Sequence, residues 1–189
     1  MKKIIIIILI IIAIYSAIWQ YRQNDSVTAY SRSEYQHWID EDHDCQNTRQ
    51  EVLISESIEK IELDSKGCRV IAGKWYDPYT DQYFNDPKEL DIDHFVPLKH
   101  AHLSGASKWS KPKKISYAND LKNPLTLIAV SKSANRSKGD KSPSQWLPQN
   151  EKYHCQYIKN WLQVKQYWQL SINETEAKFL ATKLEQCKN

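Results

Sequence analysis

The chain has 189 residues, with 26 lysines and arginines against 23 aspartates and glutamates and a formal net charge of +3. That length suits about one domain, and so small a charge excludes a polyanion binder that works by net charge alone. Its four cysteines form no CxxC or CxxH pair, so there is no zinc-knuckle pattern.

Residues 1–19 open with Lys2 and Lys3 and continue as an apolar run from Ile4 to Tyr15, extended through Ala17, Ile18 and Trp19. Such a run falls between a secretory h-region of about 7–15 residues and a spanning helix of about 20. A signal peptide and an uncleaved membrane anchor both remain open. Either exports the rest of the chain and keeps the lysines in the cytoplasm. Residues 20–33 are polar and read as a tether, which leaves 34–189 as the folded domain.

The next elements are read from periodicity. "NTRQEVLISESIEKIEL" carries apolar residues at 53, 54, 58 and 61 and predicts a helix. "CRVIAGKWYDPYTDQYF" mixes β-branched and aromatic residues around Gly73 and Pro78 and predicts short strands or a hairpin. "LDIDHFVPL" alternates as a strand that ends at His94, because Pro97 cannot donate to a ladder. "LKHAHLSGA", stopped by Gly105, and "SKPKKISYAND" read as short helices, and "PLTLIAV" as a buried strand. "SKSANRSKGD" reads as a one- or two-turn helix closed by Gly139. Two longer helices complete the chain, "YHCQYIKNWLQVKQYW" and "NETEAKFLATKLEQC", the second with Asn173 as N-cap and Glu176 at capping-box spacing.

Exported chains oxidise their thiols. Four cysteines allow three pairings, and the short local loops favour Cys45–Cys68 with Cys155–Cys187.

Charge is unevenly placed. Residues 34–93 hold sixteen acidic and six basic residues, whereas 108–141 hold nine basic and two acidic. A solvated face would mix its signs, so the basic stretch points to an anionic substrate.

The order from Asp91 to Lys141 is a strand ending in Asp-His, a basic excursion, a second strand, and a short helix carrying Asn135. Folded as ββα, strand end and helix face one cleft. Asp93 and Asn135 then offer hard oxygen donors to a cation, with Mg²⁺ the first expectation, Mn²⁺ the second and Zn²⁺ less suited. His94 stands beside them as a base, and Arg136, Lys138 and Lys141 are candidates for contacts to flanking phosphates. Asp91, on the same strand face, is a further candidate carboxylate. His43, His100 and His102 are better explained structurally, as are Trp146, Trp161 and Trp168.

"DIDHFVPLKHAHLSGA" together with "ANDLKNPLTLIAVSKSANRSKGDKSPSQWLP" resembles the HNH, or ββα-metal, endonucleases. The closer likeness is to an exported bacterial branch related to the C-terminal domain of modification-dependent restriction enzymes. The resemblance implies an α+β fold with a ββα-metal core, additional short strands, C-terminal helices and disulfide staples. It also implies a metal-dependent endonuclease that cleaves DNA, or alternatively RNA, with little sequence specificity. Asp93 matches the strand-end metal ligand, His94 the general base and Asn135 the helix ligand. Thr126 falls where the family has an Asn or His that orients the base; Asn119 and Asn123 are alternatives for that role. Arg49 matches a phosphate contact. The protein is then expected to be a monomer in the periplasm or outside the cell, with nucleic acid as partner, an immunity protein left open, and membrane contact only through residues 1–19. The rival reading is a catalytically inactive binding module of the same fold.

Overall fold

The computed structural model describes residues 28–187; the apolar segment 1–19 and most of the polar stretch 20–33 lie outside them. The described residues form a mixed α+β structure of six α-helices, four 3-10 turns and three two-stranded antiparallel sheets. In chain order these are α1 (Thr48–Glu56), β1 (Glu62–Leu63), β2 (Val70–Ala72), β3 (Trp75–Asp77), β4 (Gln82–Phe84) and β5 (Leu90–His94). They continue as α2 (Leu98–Leu103), α3 (Lys111–Ala118), β6 (Leu127–Ser131), α4 (Lys132–Lys138), α5 (His154–Tyr167) and α6 (Glu174–Gln186). None of the described helices is long and apolar enough to cross a membrane.

The central sheet pairs β5 with β6 antiparallel, Leu90 opposite Ser131 through His94 opposite Leu127. Side chains alternate between its faces. Leu90, Ile92, Leu127 and Ala129 pack on one side with Val52, Leu53, Val70 and Trp75. Ile128 and Val130 join the larger core on the other side, built from Phe95, Tyr117, Tyr157, Ile158, Trp161 and neighbouring side chains. Asp91 lies opposite Val130 and Asp93 opposite Ile128, so both carboxylates share the face turned to the larger core and α4. The free edge of β6 is closed by carboxylates, not by a third strand. The amide of Ala129 donates to Glu56 Oε2 at 2.7 Å and that of Ser131 to Asp77 Oδ2 at 3.1 Å. These bonds meet the backbone's need for partners without lengthening the sheet.

Local chemistry sets the element ends. Ser131 ends β6 and caps α4, its hydroxyl accepting from the Ala134 amide at 3.3 Å. Gly139 stops α4 with φ of +56°, and Gly105 follows α2 with φ of +113°, backbone angles that suit a residue without Cβ. The sequence pattern from 47 to 63 overshot: the helix stops at Glu56. Ser57 leaves it with extended backbone. Its hydroxyl accepts from the Lys74 amide at 3.0 Å and donates to the Glu59 carbonyl, diverting the chain into β1.

Both local disulfides are present, Cys45–Cys68 and Cys155–Cys187, spanning 23 and 32 residues. The second ties the start of α5 to the end of α6. α5 buries Ile158 and Val164 completely, each contributing roughly 1.5–3 kcal/mol. Residues 28–35, at the end of the polar stretch, pack onto the domain. The carbonyl of Thr28 accepts from His102 Nε2 at 2.8 Å, Tyr35 OH bonds His102 Nδ1 at 3.1 Å, and Glu34 pairs with Lys114 at 2.6 Å. His102 is therefore a core residue that anchors the N-terminal segment.

Candidate active site

β5 delivers Asp93 and His94, and α4, which follows β6 directly, delivers Asn135. All three line a single cleft of about 330 Å³, together with Arg32 and Lys99. The antiparallel pairing of β5 with β6 and the direct passage from β6 into α4 at Ser131 bring these residues together, a closure the sequence order anticipated.

His94 is buried at 6% exposure, with Nε2 3.0 Å from the Ala118 carbonyl. A carbonyl only accepts, so Nε2 carries the proton and Nδ1 keeps the lone pair. The indole of Trp38 stacks over the ring, centroids 5.8 Å apart and planes 25° from parallel, and Trp38 itself holds a left-handed φ of +61°. Burial pushes the His94 pKa down to about 3, although the Ala118 bond works the other way.

Asp93 is buried among strong donors. Lys138 Nζ, with no exposed surface, reaches Oδ1 at 2.9 Å and Oδ2 at 2.7 Å, and its third bond goes to the His94 carbonyl at 3.0 Å. Tyr79 OH donates to Oδ2 at 2.8 Å. Burial nevertheless raises the Asp93 pKa and lowers that of Lys138, each against the attraction of its partner. On the same face Asn135 Nδ2 donates to Asp91 Oδ2 at 3.3 Å, and Arg136 Nε lies 3.9 Å from that oxygen. Asp93 and Asn135 line the cleft and Asp91 is hydrogen-bonded to Asn135 beside it, so carboxylate and amide groups gather there, a donor set whose chemistry fits a hard divalent cation.

The other expected residues are dispersed. Thr126 is fully buried and makes no hydrogen bond to His94. Its hydroxyl donates to Asp120 at 2.7 Å, and its carbonyl accepts from the Phe95 amide. The hydrogen bond to the histidine ring is made by the Ala118 carbonyl. The adjacent Asn119 holds the Trp38 segment through Ile39 N and the Gln36 carbonyl. Arg49 is turned inward, one guanidinium nitrogen on the carbonyls of Pro87 and Leu90 at 3.0 Å each, and so braces the 3-10 turn that leads into β5. Lys138 is likewise engaged inside the protein, which removes it from the surface a polymer could touch. Arg136 and Lys141 remain outside, Lys141 on the Ser137 carbonyl. Asp40, Asp42 and Asp44 bring three carboxylates together, and His43 is not part of that group. His100 Nε2 sits 3.7 Å from Glu176.

Sequence reasoning missed Tyr79, Trp38 and Ala118. Tyr79 had a signal, a tyrosine between the turn residues Pro78 and Thr80 of "DPYTD". Ala118 acts through its backbone and had none.

Residues 46–183 match the family described as "GmrSD restriction endonucleases, C-terminal domain". The chain is also 38% identical over 158 residues to a protein of Arthroderma benhamiae named "Uncharacterized secreted protein". That match covers 84% of this chain and 76% of the fungal one. No solved structure matches the chain.

Proposed function

The chain belongs to the family of GmrSD restriction endonuclease C-terminal domains, and from that premise we propose that it is a metal-dependent endonuclease acting outside the cytoplasm. The family implies a nucleic acid substrate, and nucleases of the HNH type generally use a divalent metal. The observation that carries the reading is the convergence of Asp93, His94 and Asn135 on one cleft, with the histidine tautomer set by the Ala118 carbonyl.

In this reading β5, β6 and α4 are the ββα-metal core. His94 Nδ1 takes a proton from the water that attacks phosphorus, and Nε2–H keeps the ring aligned. General-base catalysis of this kind contributes typically 10²–10⁴-fold. Asp93 and Asn135, with Asp91 beside them, would hold Mg²⁺, with Mn²⁺ as a substitute. Bound there, the ion offsets charge on the phosphate and on the leaving oxygen. Arg136 and Lys141 reach flanking phosphates, contacts that give affinity without reading bases. DNA is the proposed polymer, RNA the alternative. Two disulfides and a secreted relative support export, and residues 1–19 supply the signal or membrane tether.

A second reading has its own observation: His94 is roofed by Trp38 and Asp93 is held by Lys138, as in a module that binds without cleaving. Incubating the protein with supercoiled and linear DNA separates the two. Cleavage in Mg²⁺ that stops in EDTA is the expected result. Retained DNA binding with no cleavage under Mg²⁺ or Mn²⁺ would leave the binding module.

A further inference from the structure

We propose that Lys138 is the resident cation of the Asp93 carboxylate, and that a divalent ion must displace its ammonium group to bind there. The inference deepens the nuclease reading, since it rests on Asp93 as a metal ligand. Lys138 Nζ has three hydrogens, and all three are engaged: two on the carboxylate oxygens at 2.9 and 2.7 Å, one on the His94 carbonyl at 3.0 Å. With Tyr79 OH on Oδ2 at 2.8 Å, three of the roughly four acceptor positions of the carboxylate are filled. The position between both oxygens, which a bidentate cation would take, belongs to the ammonium.

Charge gives the same answer as geometry. A carboxylate already paired with a buried ammonium offers a dication little net attraction, and two cations on one carboxylate repel within a medium that screens poorly. The arrangement also has a way to open. Lys138 is the last residue of α4, and Gly139 follows with φ of +56°, so the lysine sits at a chain reversal and not mid-helix. Gly139 and Asp140 line the same cleft as Asp93. A displaced Lys138 therefore swings into the cleft, where its ammonium meets a phosphate instead of an aspartate. The lysine keeps the buried aspartate paired when no ion is bound and becomes a substrate contact when one is.

The test is the affinity for Mn²⁺ alone, read from the free-ion signal in electron paramagnetic resonance. Wild type is compared with Lys138→Met and with the Asp93→Asn/Lys138→Met double variant. Removing the competing charge is expected to tighten Mn²⁺ binding roughly tenfold or more in Lys138→Met, and Asp93→Asn is expected to erase that gain. Equal or weaker binding by Lys138→Met, or a gain that survives Asp93→Asn, overturns the proposal. Should Lys138→Met fail to fold, the wild type is acetylated with an amine-reactive ester and Lys138 quantified by mass spectrometry. Protection in EDTA that is lost in saturating Mn²⁺ is the expected result, and protection unchanged by Mn²⁺ overturns displacement. Cleavage assayed on the same samples keeps the two readings apart. The Mn²⁺ pattern without cleavage sinks the nuclease and leaves the lysine exchange standing; cleavage without the pattern does the reverse.

Discussion

Asp93 with Lys138, between β5 and α4, and Glu176 with Lys165, between α6 and α5, are both buried carboxylate–lysine pairs, yet they are balanced in opposite directions. Burial pushes the Glu176 carboxyl up, but Lys165 Nζ at 2.7 Å, Trp161 Nε1 at 2.5 Å and the nearby His100 overcome it and bring the pKa down to about 2. At Asp93 burial prevails over Lys138 and Tyr79, and the neighbouring Asp91 adds to it, so the carboxyl stays above its ordinary range. The helix pair is oversupplied with donors and is built to hold. In the cleft the donors do not outweigh burial, the condition expected of a carboxylate whose ammonium partner is to be exchanged.

Removing one partner of a buried pair breaks or sharpens this contrast most strongly. Lys165→Met strands Glu176 in the core and is expected to cost about 3–5 kcal/mol in urea unfolding, with cleavage of DNA unchanged well below the melting temperature. A matching loss of cleavage would make the helix pair part of the site. Next in size is the staple beside it. Cys155→Ser/Cys187→Ser opens a loop spanning 32 residues and should lower stability by about 2–4 kcal/mol, again with the cleft intact.

The acid limb comes third. Glu176 has a depressed folded pKa, so its contribution is complete above about pH 4.5 and is lost as pH falls toward about 2. Glu176→Gln should flatten the fall in stability across that window in acid titrations. A slope that survives the substitution would assign it to other carboxylates. The smallest effect is expected at the roof of the cleft. Trp38→Ala removes the stack over His94 at a cost of roughly 1 kcal/mol, and lets water reach the ring. The His94 pKa should then climb from about 3 toward 6.5 in a proton NMR titration. No movement would place the burial elsewhere.

The same two regions show what a sequence can and cannot disclose. The cleft's local parts were legible. The alternation of "LDIDH" placed Asp93 and His94 at a strand end, and Ser131 with Gly139 bracketed a helix carrying Asn135. The short spacing within each pair of cysteines likewise favoured the disulfides that form. What stayed hidden is long-range. Lys138 looked like a surface lysine because its partner is 45 residues away, and only folding reveals that Asp93 faces the core. The carbonyl of Ala118 has no sequence signature at all, and Thr126 was expected to orient the base only because the family resemblance put it at that position. The helix read across 47–63 failed for a local reason, since Ser57 diverts the chain while its apolar neighbours keep the helical period.

The central claim is that the residues converging on this cleft cleave phosphodiesters, and His94→Ala tests it most directly. Cleavage of DNA in Mg²⁺ would be measured beside wild type and Asn135→Ala, with unfolding curves on the same preparations. Rates reduced by 10²-fold or more in His94→Ala, on folded protein, are the predicted result. Cleavage at the wild-type rate by folded His94→Ala would contradict the account.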